Sequence, residues 1–161
     1  MGVTEAPLSG QVWVDADACP GPIKEILFRA AVRAKCPLTL LANHGMSVPP
    51  SPWISFVHVP SGFDVADHEI MKRISAGDLV VTQDIPLAAE VVAAGGTAVS
   101  PRGEPFTKEN VRGRLAVRDF MTELRDTGVR TGGPPPLDAT DKQRFANVLD
   151  RWLTKRAKAG T

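Results

Sequence analysis

The sequence predicts an α/β domain built on a central parallel sheet of about five strands, with helices on both faces and further helices near the C-terminus. Short apolar runs alternate with segments of helical periodicity, a pattern typical of parallel sheets that are covered on both sides. The chain has 161 residues, the size of one ordinary domain, and 43% are hydrophobic. We expect a flexible leader at residues 1–10, a single domain at 11–153 and a frayed tail at 154–161.

Five apolar runs predict the strands, because strands buried on both faces read as continuous apolar segments. The first run stops abruptly at Asp15, and the fourth ends just before Asp84. In chain order the predicted strands are Gln11–Val14, Leu38–Leu41, Ile54–Val59, Leu79–Thr82 and Thr97–Ser100.

Helical periodicity and helix-ending residues predict the helices. Pro22 suits a first helical turn, where its missing N–H costs nothing, and Pro37 closes that helix. A second helix is expected to run through about Ser75 and a third to end at Gly95-Gly96. The third spans Leu87–Ala94, and two later helices are predicted at about Thr107–Asp126 and Thr140–Lys155.

Composition excludes several classes of protein. No apolar run approaches the roughly 18 residues of a membrane span, and the N-terminus lacks the pattern of a signal peptide. Cys19 and Cys36 form no metal-binding pattern and are interpreted as small buried apolar residues. We therefore expect a cytoplasmic protein without disulfides. The sequence leaves the oligomeric state open.

Charge is distributed unevenly along the chain. Residues 1–100 hold six Lys/Arg against ten Asp/Glu, whereas residues 101–161 hold thirteen against eight. Such asymmetry favours a polyanionic partner for the basic half, with RNA or another nucleic acid as the candidate.

Several aspartates follow predicted strands, where ligands bind in open parallel sheets. Clustered carboxylates repel one another unless a cation is present, and oxygen ligands select Mg²⁺ or Mn²⁺. Such an ion can support phosphodiester hydrolysis. Any single aspartate may instead cap a helix or make a turn; Asp78 is interpreted as a turn residue. The candidate metal ligands are Asp15, Asp17, Asp64, Asp67 and Asp84, with Asp15 and Asp84 as the catalytic pair.

Other polar residues are candidates for contacting the substrate. Asn43 and Thr82 lie at strand ends, Arg102 follows the fifth strand, and Arg114 and Arg118 share one helical stripe. Arginines in such positions could contact phosphates, although a solvated face is the simpler reading of the stripe. His44 and His68 lie near the predicted cluster and are interpreted as surface polar residues, with a role as ligand or acid as the alternative.

Two specific motifs are the segments DADACP and TQDIPLA, at residues 15–20 and 82–88. Further characteristic segments are Ala42-Asn43, residues 62–67, Pro101–Gly103, Asn110, Arg118, Gly128, Gly133-Pro134, Asp141 and Arg144-Phe145. Together these segments resemble the YaiI/YqxD family of uncharacterised bacterial proteins. The resemblance extends from about Gln11 to Leu153.

The resemblance implies a PIN-like three-layer fold, and many PIN-like proteins are metal-dependent ribonucleases. By that likeness Asp15 is the first metal ligand, Asp64 or Asp67 the acidic residue that opens a mid-chain helix, and Asp84 the acid after the fourth strand. Asp17 is an extra acid. The late acidic residue of PIN domains has no clear match, because Arg102 and Glu104 occupy that region.

Two other functions remain open from the sequence. One is a nucleic-acid- or metal-binding PIN-like module that has lost its chemistry. The other is a phosphatase similar to haloacid dehalogenases, in which Asp15 would be the nucleophile and Asp17 the general acid.

Overall fold

The computed structural model describes residues 10–60, 65–111 and 137–159. Strands β1 to β6 span Val12–Asp15, Leu38–Ala42, Ile54–His58, Leu79–Val81, Thr97–Val99 and Pro105–Phe106. Helices α1 to α4 span Gly21–Ala34, Val65–Arg73, Ile85–Ala93 and Ala139–Ala159. A single 3₁₀ turn, Ala16–Ala18, joins β1 to the segment before α1. The predicted helix at 107–126 lies largely outside the described residues, which contain only its start at 108–111.

The six strands form one sheet in the order β3-β2-β1-β4-β5-β6. All neighbouring pairs are parallel except β5 and β6, which are antiparallel. The strand order reverses direction at β1, which lies between β2 and β4. The carboxyl ends of β1, β2 and β4 therefore lie side by side at one edge of the sheet, at the topological switch point where ligands bind in open α/β sheets.

Alternating residues of the central strands point to opposite faces of the sheet, as the pleat requires. In β1, Val12 and Val14 join one apolar cluster and Trp13 joins the other. The first cluster is covered by α1 and α4, and the second by α2 and α3. This is the three-layer α/β arrangement expected of a PIN-like domain, so the predicted fold class is confirmed.

The strand β6 was not predicted from the sequence. It contains only Pro105 and Phe106, and it lies at the antiparallel edge of the sheet, where a residue without an N–H is tolerated. A turn through Gly103, whose φ of +85° is one that side-chain-bearing residues rarely adopt, connects it to β5.

Two reciprocal hydrogen bonds cap the start of the helix after β6. The hydroxyl of Thr107 accepts a hydrogen bond from the N–H of Asn110 at 3.1 Å, and the Asn110 side-chain oxygen accepts one from the N–H of Thr107 at 2.8 Å. This reciprocal pair is a capping box in which asparagine replaces the usual glutamate.

Within the described ranges no helix is both long enough and apolar enough to cross a membrane. Cytoplasmic location stays a prediction.

Candidate functional site

The hydroxyl of Thr82 connects two of the predicted site aspartates. It donates a hydrogen bond to Oδ2 of Asp15 at 3.3 Å and accepts one from the backbone N–H of Asp84 at 3.0 Å. Thr82 is 1% exposed, and its own N–H is held by the carbonyl of Val99 in β5. A buried, fully engaged hydroxyl is suited to orienting the carboxylate of Asp15 and to fixing the backbone at Asp84. Direct contact with a substrate, the role predicted from the sequence, would require some of that burial to be relieved.

Asp15 is the carboxylate most affected by its surroundings. Burial raises the pKa of the Asp15 carboxyl, the hydrogen bond from Thr82 opposes that rise, and the negative charges of Asp17 and Asp84 add to it. Asp17 and Asp84 therefore lie close enough to influence the protonation of Asp15. The prediction that strand-end aspartates converge is met by these three.

The carboxylate of Asp84 also begins helix α3. Its Oδ1 accepts a hydrogen bond from the N–H of Leu87 at 2.8 Å, so Asp84 is the N-cap of that helix. The two readings that the sequence left open, helix cap and member of an acidic cluster, both hold for this residue. The cap engages Oδ1 of the Asp84 carboxylate.

Asp17 is held by the turn that follows β2. Its Oδ2 accepts a hydrogen bond from the N–H of Asn43 at 2.9 Å, and its Oδ1 lies 2.5 Å from Nδ1 of His44. Each oxygen of Asp17 thus already has a partner. Asn43 and His44 are themselves exposed at this edge of the sheet. The structure brings Asn43 to the cluster through its backbone, and it adds His44 as a partner of Asp17.

Arg102 forms an ion pair with the start of helix α4. Its Nη1 lies 2.6 Å from Oδ2 of Asp141, whose carboxylate is largely buried. Asp141 also accepts a hydrogen bond from the N–H of Asp138 at 3.1 Å, while Asp138 accepts one from the N–H of Asp141 at 2.8 Å. Arg102 therefore ties the turn after β5 to the start of α4. A role in binding substrate stays a prediction.

The remaining predicted site residues are Asp64, Asp67, Arg114 and Arg118, together with the alternative candidate His68. Asp67 lies in the first turn of α2 and is partly buried, and His68 is exposed on the same helix. The charges that raise the pKa of Asp15 are those of Asp17 and Asp84. Asp64, Arg114 and Arg118 lie outside the described residues.

Asp78 lies at the opposite edge of the sheet, in a structural role. Its carboxylate, 4% exposed, accepts hydrogen bonds from the N–H of Gln11 at 2.9 Å, the indole of Trp13 at 2.8 Å and the N–H of Ser75 at 2.9 Å. The interpretation of Asp78 as a turn residue is consistent with its bond to Ser75. The contacts of Asp78 with Gln11 and Trp13 could not be predicted from the sequence pattern, because these residues are distant from Asp78 in the chain.

Both cysteines are buried and unpaired by any disulfide. Burial raises the pKa of the Cys19 thiol to about 12 and that of Cys36 to about 11. Thiols with such values hold their protons at neutral pH and are poor nucleophiles. The interpretation of both as small apolar residues agrees with this burial.

The donor atoms at the cluster have the chemistry that a hard cation requires. They are carboxylate oxygens of neighbouring acidic groups, and burial, with the charges of Asp17 and Asp84 adding to it, raises the pKa of Asp15. Among the residues that the structure describes, no three His, Cys, Asp or Glu side chains form a ready-made metal site. Binding of a cation by Asp15 and Asp84 stays a prediction.

Fold and site together define an α/β protein with a small acidic cluster at the carboxyl edge of a parallel sheet. The chain belongs to the YaiI/YqxD family: the family model described as "Uncharacterized BCR, YaiI/YqxD family" matches residues 13–155. The resemblance noted from the sequence motifs is thereby confirmed.

Similar proteins occur in several bacteria and carry the name UPF0178 protein. The one from Colwellia psychrerythraea is 62% identical over 148 residues, which cover 92% of this chain and 98% of the relative. The one from Aeromonas hydrophila is 60% identical over 144 residues, covering 89% and 96%. The one from Thioalkalivibrio sulfidiphilus is 62% identical over 146 residues, covering 91% and 99%. No solved structure matches the chain.

Proposed function

We propose that the protein is a Mg²⁺- or Mn²⁺-dependent nuclease that hydrolyses phosphodiester bonds, with RNA as its substrate. The observation that carries the proposal is the buried Thr82 hydroxyl, which joins Asp15 and Asp84 at the switch point of the sheet. The hydroxyl would act as a hydrogen-bonding partner of the ligand carboxylate of Asp15, a recurring role in metal sites, while it fixes the backbone at Asp84. The cytoplasm supplies both the cation and the RNA.

The chain's own residues would perform three tasks. Asp15 and Asp84 would hold the cation through carboxylate oxygens, and Thr82 would fix the orientation of both. When bound, the cation supplies stabilisation of the negative charge that develops on the phosphate. Asp17, whose oxygens are held by Asn43 and His44, would add negative potential and shape the entrance to the site.

The proposal also includes residues other than Asp15, Asp17, Thr82 and Asp84. Asp64 or Asp67 would supply an additional acidic group from the start of α2, as the family resemblance implies. Arg102, Arg114 and Arg118 would contact phosphates of the substrate. For Arg102 this requires sharing its guanidinium between the substrate and Asp141, which a group with five donors allows.

The test is cleavage of an end-labelled single-stranded RNA with Mn²⁺, comparing the wild type with Asp15→Asn. We expect the wild type to cut the RNA, chelation with EDTA to stop it, and the substitution to abolish it. Asp138→Asn is the matched control, because it makes the same chemical change at an exposed helix start where asparagine caps equally well. Equal cleavage by wild type and Asp15→Asn would contradict the proposal.

The same assay separates the two alternative functions. RNA that is bound but left uncut at every Mn²⁺ concentration would indicate a binding module. A phosphate group trapped on Asp15 after incubation with a phosphomonoester would indicate the phosphatase, because a metal-dependent nuclease of the proposed kind forms no covalent phosphoenzyme.

A further inference from the structure

We propose that the groove between α1 and α4 binds the phosphodiester backbone of a single-stranded nucleic acid and leads it towards the aspartate cluster. The connection to the cluster rests on the proposed function, whereas binding in the groove can be tested without it.

The groove is a surface cleft between two helices that pack side by side on one face of the sheet. Its volume is about 490 Å³, within the range of ligand-binding clefts. Pro22, Glu25 and Arg29 of α1 line one wall, and Ala139, Lys142 and Gln143 of α4 line the other.

The groove has a defined direction relative to the cluster. Pro22 lies in the first turn of α1, shortly after Asp17, and Ala139 begins α4, so both helices start at the edge of the sheet that carries the aspartates. At the far end, Arg33 of α1 pairs with Asp150 of α4 at 3.0 Å. The helices thus run parallel, and the groove extends from the carboxyl edge of the sheet to this ion pair.

The charges that line the groove favour an anion. Arg29 and Lys142 are exposed on opposite walls, and in the described part of the chain neither forms an ion pair. Glu25 is the one acid among the lining residues. By contrast, Arg33 is neutralised by Asp150, and Arg144, one turn into α4, lies 3.8 Å from Asp141. Two unneutralised cations facing each other across a cleft suit consecutive phosphates of one strand.

The occupant of the groove is proposed to be a single strand, because the groove runs towards the cluster at which we propose that RNA is cleaved. The wall formed by α4 belongs to the basic half of the chain, residues 101–161, for which the charge balance already indicated a polyanionic partner. The shared chemistry of the ligand is its phosphodiester backbone, which RNA and single-stranded DNA both carry.

The experiment measures binding of a labelled oligouridine by fluorescence anisotropy, in EDTA so that no cleavage occurs, over a series of salt concentrations. The groove variant is Arg29→Glu with Lys142→Glu. The control variant is Lys72→Glu with Lys108→Glu, which changes the net charge equally. Both control lysines are exposed, and both lie on the opposite face of the sheet, where α2 and Val111 join the second apolar cluster. All four sites are exposed, so the variants are expected to fold.

For the groove variant we expect the plot of log affinity against log salt to become less steep by about 1.4, since each phosphate contact on a single strand contributes about 0.7 to the magnitude of its slope. The control variant should keep the wild-type slope. Equal slopes for the wild type and the groove variant, or equal losses in the groove and control variants, would overturn the proposal. A matched deoxyuridine strand identifies the source of the ligand. If the groove variant loses binding to both strands, the groove recognises the phosphodiester backbone that they share. If it loses binding to the RNA strand alone, the groove recognises RNA.

Failure of this inference is distinguishable from failure of the proposed function. If the wild type never cleaves RNA but the groove variant loses salt-dependent binding, binding in the groove is supported and the proposed nuclease activity is contradicted. If cleavage is observed and the groove variant binds like the wild type, the proposed nuclease activity is supported and binding in the groove is contradicted.

Discussion

The hydroxyl of Thr82 lies 3.3 Å from Oδ2 of Asp15, so the buried end of β4 orients the carboxylate at the end of β1. The same hydroxyl accepts the N–H of Asp84. One side chain, only 1% exposed, thus positions both residues that we propose as cation ligands.

Thr82→Val is expected to weaken cleavage without altering the shape of the site. Valine keeps the size of threonine but removes both hydrogen bonds, which leaves the Asp84 N–H without its partner. We expect metal-dependent cleavage to fall about 10- to 100-fold, as for partners of metal ligands. Stability in urea should fall by about 1–3 kcal/mol. Thr82→Ser, which keeps the hydroxyl, should retain most activity; a fully active valine variant would contradict the positioning role.

Asp15→Asn is expected to stabilise the metal-free protein at neutral pH. The folded pKa of Asp15 is raised above its ordinary value of 3.8, so the folded state keeps the proton at pH values where the unfolded chain has released it. The contribution of this group to stability therefore falls as pH rises from about 3.8 through the raised value, and the penalty persists at neutral pH. Asparagine removes that penalty.

Urea unfolding of the wild type and Asp15→Asn across pH, in EDTA, measures this effect. The variant should be the more stable of the two at neutral pH, and the difference should shrink towards zero in acid, where the wild-type carboxyl is protonated. A variant that is less stable than the wild type at neutral pH would show that the surroundings of Asp15 do not destabilise its charged carboxylate.

Asp78→Ala is expected to destabilise the fold strongly without involving the site. The substitution leaves three donors, the N–H groups of Gln11 and Ser75 and the indole of Trp13, without their acceptor. A loss of about 3 kcal/mol is expected, because the indole N–H of Trp13 is left buried and unsatisfied, at about 1–3 kcal/mol, and two part-buried hydrogen bonds of about 1 kcal/mol each are lost. Asp138→Ala removes only an exposed helix cap and should cost about 1 kcal/mol. Similar losses for both variants, by urea unfolding, would contradict this assignment.

Gly103→Ala is expected to separate the turn after β5 from helix α4. A Cβ at residue 103 would lie 2.5 Å from the backbone N of Phe145 and 2.6 Å from the backbone C of Arg144, and φ there is +85°. Gly77 has a similar φ of +92°, but a Cβ there meets nothing within 4 Å. Gly77→Ala should therefore cost only backbone strain, about 1–2 kcal/mol.

The clash adds to the strain at residue 103, so Gly103→Ala should cost about 1–3 kcal/mol more than Gly77→Ala. Thermal unfolding of both variants measures the difference. Equal midpoints would mean that the turn and α4 move apart at little cost, and that the close approach contributes little to the fold.

The strands of the sheet could be predicted because strands buried on both faces have continuous apolar sequences. Val12, Val14, Leu79 and Val81 face one layer of helices while Trp13 and Val80 face the other, so both faces require apolar residues. The two-residue strand β6 could not be predicted, because Pro105 argues against a strand and pairing with β5 depends on tertiary contact. Helix α4 begins close to the predicted residue and continues to Ala159, beyond the predicted end.

The site was predictable in position and less so in its contacts. Asp15, Asp17 and Asp84 follow strands whose ends meet, and that rule requires only topology. The partners of these side chains depend on distances that no spacing rule gives. The pairing of Asp17 with His44, the buried link through Thr82 and the ion pair of Arg102 with Asp141 therefore emerged only from the folded chain.

The most direct test of the central claim is calorimetric titration of the metal-free protein with Mn²⁺. Wild type, Asp15→Asn and the matched control Asp138→Asn would be compared at neutral pH. The account predicts saturable binding to the wild type and to the control, with binding lost or weakened at least about 10-fold in Asp15→Asn. Binding that is equal in all three proteins, or absent from all three, would contradict a cation site at the aspartate cluster.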